Sequence, residues 1–463
     1  MKTQTDPSGA RLPIKLDTTS NGEFVPVPLP PANREANRRA HESAARNARR
    51  LDLSKREFLV SACGAASTLL AFNEANAAAG RTGGFFDLSR ESALDQQLAR
   101  AQVGPAKEEF IFDVQGHFVD TPMGNPRGPE VFIKDVFMDS DTDLMVLSFV
   151  PSTRDAEPVT IQAADAVRRI VEKLEGTHRL LLHGRVNPNQ AGDVETMDEL
   201  AQRWGVSAWK TYTQYGPGGR GYFLSDEVGA RFIEKARKLD VKVICVHKGL
   251  PFGQRSYEHS QCSDIGVVAQ RYPDVKFLIY HSGFVTGVRE QAYDPAAKRD
   301  GIDTLIRSLI DNGVKPGSNV YAELGSTWRF LMRDPEQAAH ALGKLITYCG
   351  PDNVLWGTDS IWYGSPQDQI QAFRTFQIAP ELRAKHGYPE ITSSLRARIF
   401  GLNGAKVYGL SVEEVKRFAT RDRVAQARAV YRERADPSFL TYGPKTRRAF
   451  FELVGSGEFS ALA

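Results

Sequence analysis

Four side chains able to do chemistry recur at one kind of place in this sequence, the end of an apolar run. The runs close as Asp113-Val114-Gln115-Gly116-His117, Val246-His247-Lys248-Gly249, Tyr280-His281-Ser282-Gly283 and Trp356-Gly357-Thr358-Asp359-Ser360. In a strand, side chains alternate between faces, so Asp113, Gln115 and His117 are expected on one face. Buried imidazoles and carboxylates cost free energy unless they are paired or metal-bound. Two or three histidines with one carboxylate form the ligand set of a catalytic divalent metal that keeps an open position. Such an ion lowers the pKa of bound water from about 15.7 toward roughly 7 and so provides hydroxide at neutral pH. One histidine at a strand end is an ordinary packing residue. Three histidines and an aspartate at equivalent points of four strands are not explained by packing.

The elements that must position these groups are legible as eight β-rich runs, at 109–115, 144–149, 180–186, 206–212, 241–247, 275–281, 319–324 and 353–358. Amphipathic helical stretches lie between most of them, among them 163–174, 226–239, 302–312, 335–349 and 366–376. Near-continuous apolar strands alternating with helices imply a parallel sheet covered on both faces. Eight such units in series predict a (β/α)8 TIM barrel, whose chemistry lies at the C-terminal strand ends. A doubly wound open sheet is the rival, but no glycine-rich nucleotide fingerprint follows the first strand. Further rim candidates are Arg185, Tyr212, Arg220, Trp328 and Trp362, an aromatic and cationic set suited to a carboxylated aromatic or enol substrate. Each of them taken alone is equally well explained by packing or solvation. Glu323 ends strand seven as a fourth oxygen ligand, a general base or the structural partner of Lys210 or Arg185. The glycine-rich 216–221 reads as a flexible connection or a lid. His259 is the remaining histidine expected closest to the pocket. The 411–463 tail opens on a capping box, Ser411-Val412-Glu413-Glu414, and reads as a helical extension on the barrel or on a partner subunit.

With these motifs in this order, the sequence resembles the metal-dependent amidohydrolase superfamily. The branch is the amidohydrolase-related one that includes aminocarboxymuconate semialdehyde decarboxylase and resorcylate-type decarboxylases. Ile399-Phe400-Gly401-Leu402-Asn403-Gly404-Ala405-Lys406 is similar to that family's closing motif, and the resemblance spans 108–410. It implies His117, His247 and Asp359 as ligands of one divalent metal ion, zinc first and manganese second. It implies His281 as the nearby acid/base and Asp359 also as proton acceptor from water, and it implies a homodimer. The family has histidine where Gln115 stands. Gln115 is therefore a weak ligand, a substrate-binding group with Asp113 or water completing the shell, or the mark of a metal-free site. Binuclear members carry a carboxylated lysine at the place of Lys210. The missing first histidine argues instead for a lysine that forms an internal salt bridge or binds a substrate carboxylate.

Composition narrows the remaining classes. The 463 residues are 41% hydrophobic and 25% charged, a globular balance that excludes a wholly disordered or fibrous chain. Residues 1–56 hold 11 of the 59 Lys and Arg against 6 of the 56 Asp and Glu, so the body is near neutral and no nucleic-acid partner is expected. The apolar run 60–72 is shorter than the roughly 20 residues a spanning helix needs. Residues 1–53, with Pro26-Val27-Pro28-Leu29-Pro30-Pro31, read as disordered or extended chain. Ser54-Lys55-Arg56-Glu57-Phe58-Leu59 resembles a twin-arginine (Tat) signal core, followed by a short apolar region and an A-x-A site at 75–79. This reading makes 1–79 an export arm, 80–107 a linker, and the twin-arginine machinery a partner that delivers the protein to a bacterial periplasm. The plain alternative is a surface amphipathic helix and a cytoplasmic protein. Cleavage near 77 or 79 leaves Cys245, Cys262 and Cys349, an odd number from which no structural disulfide is expected.

The leading functional reading is hydrolysis of a small carbonyl-containing substrate by metal-activated water. Non-oxidative decarboxylation on the same scaffold is the close alternative. An exported binding protein that lost catalysis through Gln115 is the rival from another class.

Overall fold

The computed structural model describes residues 12–106, 109–118, 128–175, 178–251, 257–420 and 422–455. Eight parallel strands follow one another in chain order around a barrel. They are β1 (Phe112–Gly116), β2 (Leu144–Leu147), β3 (Leu180–Arg185), β4 (Ala208–Tyr212), β5 (Val243–His247), β6 (Lys276–Tyr280), β7 (Val320–Glu323) and β8 (Val354–Leu355). Seven of the eight fall within the runs expected from sequence, and β1 ends at Gly116, one residue beyond the expected 109–115. A parallel bridge between Gly116 and Ser360 joins the end of β1 to the segment after β8. Val114 N donating to Trp356 O (3.0 Å) and Asp359 N donating to Gln115 O (2.9 Å) complete the closure.

Alternation along the strands decides what faces the interior. In β5, Cys245 packs with Leu278 and Tyr280 of β6 in the cluster inside the barrel, with Leu144 and Val146 of β2. Ile244, Val246, Phe277 and Ile279 point outward to the helices. His247 therefore continues the inward face of β5. In β1 the register shifts between Asp113 and Gly116. Such an irregularity re-aims side chains; Asp113 bonds Thr358, while Gln115 and His117 both reach Asp359.

The segments flanking the barrel are ordered on it. Residues 12–29 run as an extended strap, and α1 (Pro31–Arg50), α2 (Lys55–Val60) and α3 (Ala62–Ala78) follow. Of the disordered or extended chain expected over 1–53, residues 1–11 lie outside the described residues, 12–30 form neither helix nor strand, and 31–50 is a helix instead. Its alanines Ala36, Ala40, Ala44 and Ala48 recur every four residues and pack in one cluster with Ala65, Ala66, Leu69 and Phe72 of α3. A stripe of that period lets two helices approach closely. Ser54 and Glu57 of the apparent signal core form a reciprocal capping box on α2. No helix among the described residues is long and apolar enough to cross a membrane. The tail contributes helices Val412–Thr420, Arg423–Arg432 and Arg447–Gly455. It is bound to the barrel by the buried pairs Arg179–Asp422 and Arg428–Asp143 (2.5 Å for the second). All four cysteines are buried free thiols.

Candidate active site

The strand ends bring His117, His247, His281 and Asp359 together, each at most 2% exposed. His281 and Asp359 have positive φ, 66° and 58°, as does Ser326 at 52°. Left-handed backbone at non-glycine residues is strained and clusters at functional sites. Here it turns three side chains inward from the tops of β6, β8 and β7. Glu323 holds one of these turns, because its carboxylate accepts from His281 N (3.0 Å) and Gly325 N (2.6 Å).

Hydrogen bonds on the outer nitrogens orient the imidazoles. His281 Nδ1 donates to Gly325 O at 2.7 Å, and His247 Nε2 donates to Gly249 O at 3.2 Å. Each ring thus turns its other nitrogen, His281 Nε2 or His247 Nδ1, to the centre as a lone pair. The ring centroids are 4.4 Å apart, and His247 is stacked on Tyr212 at 4.9 Å. Burial, and then the neighbouring His281 and Lys210 charges, hold His247 well below its ordinary pKa. Burial lowers His281 to about 4, with Asp359 opposing and Lys210 reinforcing the shift. Both rings are therefore neutral near pH 7, the form that ligates metal.

Asp359 is enclosed by donors. His117 Nε2 lies 3.0 Å from Oδ1, and Gln115 Nε2 donates to the same oxygen at 3.0 Å. Oδ2 accepts from Asn21 Nδ2 at 2.7 Å and from Ser326 Oγ, whose hydroxyl is in turn 2.7 Å from Tyr363 OH. Burial raises the Asp359 pKa, but the hydrogen bond and charge of His117 and the Ser326 hydroxyl outweigh it and keep the carboxyl ionised.

Two residues of this site were not visible in the sequence, Asn21 and Glu23, and both come from the strap. Glu23 Oε1 is 3.4 Å from His247 Nδ1, and its Oε2 is 3.8 Å from His281 Nε2. Asn21 Nδ2 donates to Glu23 Oε2 at 2.6 Å. Ligand atoms of Glu23, His247 and His281 all lie within 4.8 Å of one another. Burial, and then repulsion from Asp359, push the Glu23 carboxyl well above its ordinary range. A converging carboxylate and two imidazole lone pairs fit a divalent cation.

The other predicted residues divide. Lys210 is fully buried, with its ammonium 3.9 Å from the Tyr280 ring centroid and 4.7 Å from that of Tyr212. It has no hydrogen-bond partner among the described residues, and burial lowers it to about 8 against the pull of Glu23 and Asp359. Among the described residues it forms no salt bridge, the first of its two expected roles, and its charge is felt by the carboxylates of the site. Tyr212 is a wall, its OH donating to Phe149 O at 2.9 Å. Arg185 is not a free cation, because it is paired with Glu157 (2.7 Å) and Asp193 (2.9 Å). Trp328 is a core residue: its indole donates to Gln369 O and packs edge-on to Phe373 and Phe376. Asp113 caps the Thr358 backbone and hydroxyl instead of entering the cluster, and burial raises it to about 7. Gln115 turns its amide nitrogen to Asp359 and lies 3.5 Å from His281 Nε2. His259 packs against Phe223. The 216–221 loop is clamped by Asn189, whose amide donates to Tyr215 O and Arg220 O.

An eight-stranded parallel barrel with imidazoles and carboxylates gathered at the C-terminal strand ends is a barrel enzyme with its site at the rim this fold uses. Residues 112–410 match the amidohydrolase family model, and the chain belongs to that family. No curated protein matches the chain. Similar solved structures include 2,6-dihydroxybenzoate decarboxylase from Rhizobium, 16% identical over 65% of this chain and 99% of that one, with a TM-score of 0.39. A Saccharomyces cerevisiae dihydroorotase in complex with 5-fluoroorotic acid is 12% identical over 67% and 87%, with a TM-score of 0.42. A Burkholderia multivorans amidohydrolase with bound zinc is 15% identical over 65% and 100%, with a TM-score of 0.42.

Proposed function

We propose that this chain is a metal-dependent hydrolase of a small carbonyl compound that also carries a carboxylate. The observation that supports this best is the meeting of two neutral, oriented imidazoles with an ionised, donor-enclosed Asp359 at the barrel rim. His247 and His281 turn lone pairs on the centre and would hold a divalent ion, so His281 serves as a ligand in this reading. When bound, the ion supplies Lewis acidity that polarises a carbonyl and acidifies water. Asp359, kept ionised, accepts the proton of the attacking water in place of one of the donors that hold its oxygens. His117, 3.0 Å from Asp359, is placed to relay that proton to the leaving group. Lys210, mostly protonated at pH 7, is the cation available for the substrate's carboxylate or the developing oxyanion.

The test joins metal analysis to turnover. Protein purified without chelator or affinity metal should contain zinc or manganese and turn over within a panel of esters, lactones, amides and hydroxybenzoates. Asp359→Asn should stay folded and lose at least about 10³-fold in kcat, within the usual range for a proton-transfer group. An active Asp359→Asn enzyme would refute the mechanism. Carbon dioxide release with no hydrolytic product would replace hydrolysis by decarboxylation.

A further inference from the structure

The strap of residues 12–29 enters the site from outside the barrel, and its anchorage is independent of the site. Leu12, Ile14 and Leu16 are fully buried. Asp17 pairs with Arg329 at 2.5 Å and accepts from Thr441 Oγ1 at 2.9 Å. Lys15 is bound to Asp368 at 3.3 Å and donates to Ser365 O at 3.1 Å. Ser20 N donates to Pro444 O at 2.9 Å, and the tail glycine Gly443 lies so close that an added Cβ would run into the Ser20 carbonyl. Gly22, with φ 91°, turns the chain so that Asn21 and Glu23 both point down into the barrel. A segment held by buried ion pairs on one side and by the tail on the other is part of the fold.

At the centre, the strand-one position offers no anionic or imidazole ligand. Gln115 gives its amide nitrogen to Asp359, and four donors already occupy the Asp359 oxygens. The carboxylate that faces the two imidazole lone pairs is that of Glu23. We propose that Glu23 is a resident metal ligand supplied from outside the barrel, taking the place that Gln115 leaves and joining His247 and His281 in a two-histidine, one-carboxylate centre. This rests on the metal-dependent reading of the site. It adds that the centre is complete only with the strap docked, so metal binding and strap docking are thermodynamically linked: each strengthens the other by the same factor.

The test is zinc binding to the full chain, read by competition with a chromophoric chelator, and limited proteolysis of the arm with and without zinc. Glu23→Gln is isosteric, and the apo protein should keep its melting temperature while losing at least about 100-fold in zinc affinity, the upper end of what outer-shell changes cost. Gln115→Ala should weaken zinc less than Glu23→Gln does. Gly443→Ala touches no ligand, yet by wedging the tail from Ser20 it should expose 12–29 to protease and weaken zinc about tenfold. Zinc should in turn slow cleavage of the strap in the wild-type chain. Undiminished zinc affinity in Glu23→Gln, a larger loss in Gln115→Ala, or a cut strap in Gly443→Ala with zinc affinity unchanged would each overturn the proposal while leaving metal dependence standing. A wild-type chain that takes up no zinc would overturn both.

Discussion

Lys210 is the residue whose environment makes the sharpest claim. An ammonium with no hydrogen-bond partner among the described residues, fully buried between two aromatic rings, is costly. Its fall from 10.5 to about 8 corresponds to about 3 kcal/mol of native-state destabilisation when it is charged. The sign follows from proton binding. Between pH 8 and 10.5 the unfolded chain binds the proton and the folded chain does not, so stability rises with pH across that window. Below pH 8 the cost is fully present. Lys210→Met should therefore be more stable than the wild type at pH 7 by about 3 kcal/mol, and the gap should close by pH 10.5. It should also raise KM for carboxylated substrates. Denaturant midpoints of both proteins at pH 7 and 10 measure the gap; one that does not shrink with pH would mean Lys210 is paired in solution. A cation kept at that cost is consistent with a binding role, whereas Arg185, neutralised by Glu157 and Asp193, has no charge to spare.

Among the elements, the strap carries the argument that the strands do not. The strands were legible because a parallel barrel buries both faces, which leaves near-continuous apolar runs with chemistry at their ends. His117, His247, His281 and Asp359 could be placed from that pattern alone. Asn21 and Glu23 could not, since their partners lie more than 200 residues away and the strap has no helical or long strand period. The faint signals were the alternation of Leu12, Ile14 and Leu16 and the turn-forming Asn21-Gly22 pair. Trp328 misled for the opposite reason: a residue just past a strand end reads as rim, but the short helix Thr327–Leu331 folds it under into the core. The strap's anchor is testable by itself. Breaking a buried ion pair from one side costs roughly 3–5 kcal/mol, so Arg329→Met should release the strap while the barrel stays folded. Amide exchange should show Lys15 and Ser20 protected like barrel strands in the wild type and exchanging freely in the variant. Equal protection in the two proteins would show that the Asp17–Arg329 pair does not hold the strap.

On the scale of the whole molecule, export followed by cleavage and an arm-borne site residue cannot both describe the working protein. A cut near Ala77 or Ala79 would remove Glu23, Asn21 and the strap anchors together. The ambiguity is physical. A short run of small apolar residues behind a charged segment suits a translocated signal, and it equally suits a helix packed against an alanine stripe, as α3 is against α1. The energetics favour retention. Leu12, Ile14, Leu16, Phe58, Leu59, Leu69 and Phe72 are all at most 6% exposed. At about 1.5–3 kcal/mol for each large apolar side chain, their burial is comparable with the whole stability of a typical domain, roughly 5–15 kcal/mol. We propose that the mature chain keeps its arm, whichever compartment it works in. Its intact mass, taken from native cells, should then include residues 12–79. A chain of residues 80–463 should be largely insoluble, because the barrel surface that receives α3 and the strap would be bare. Soluble, monodisperse 80–463 with full-length zinc affinity would show the arm to be a removable leader, and the site would then have to work without Glu23.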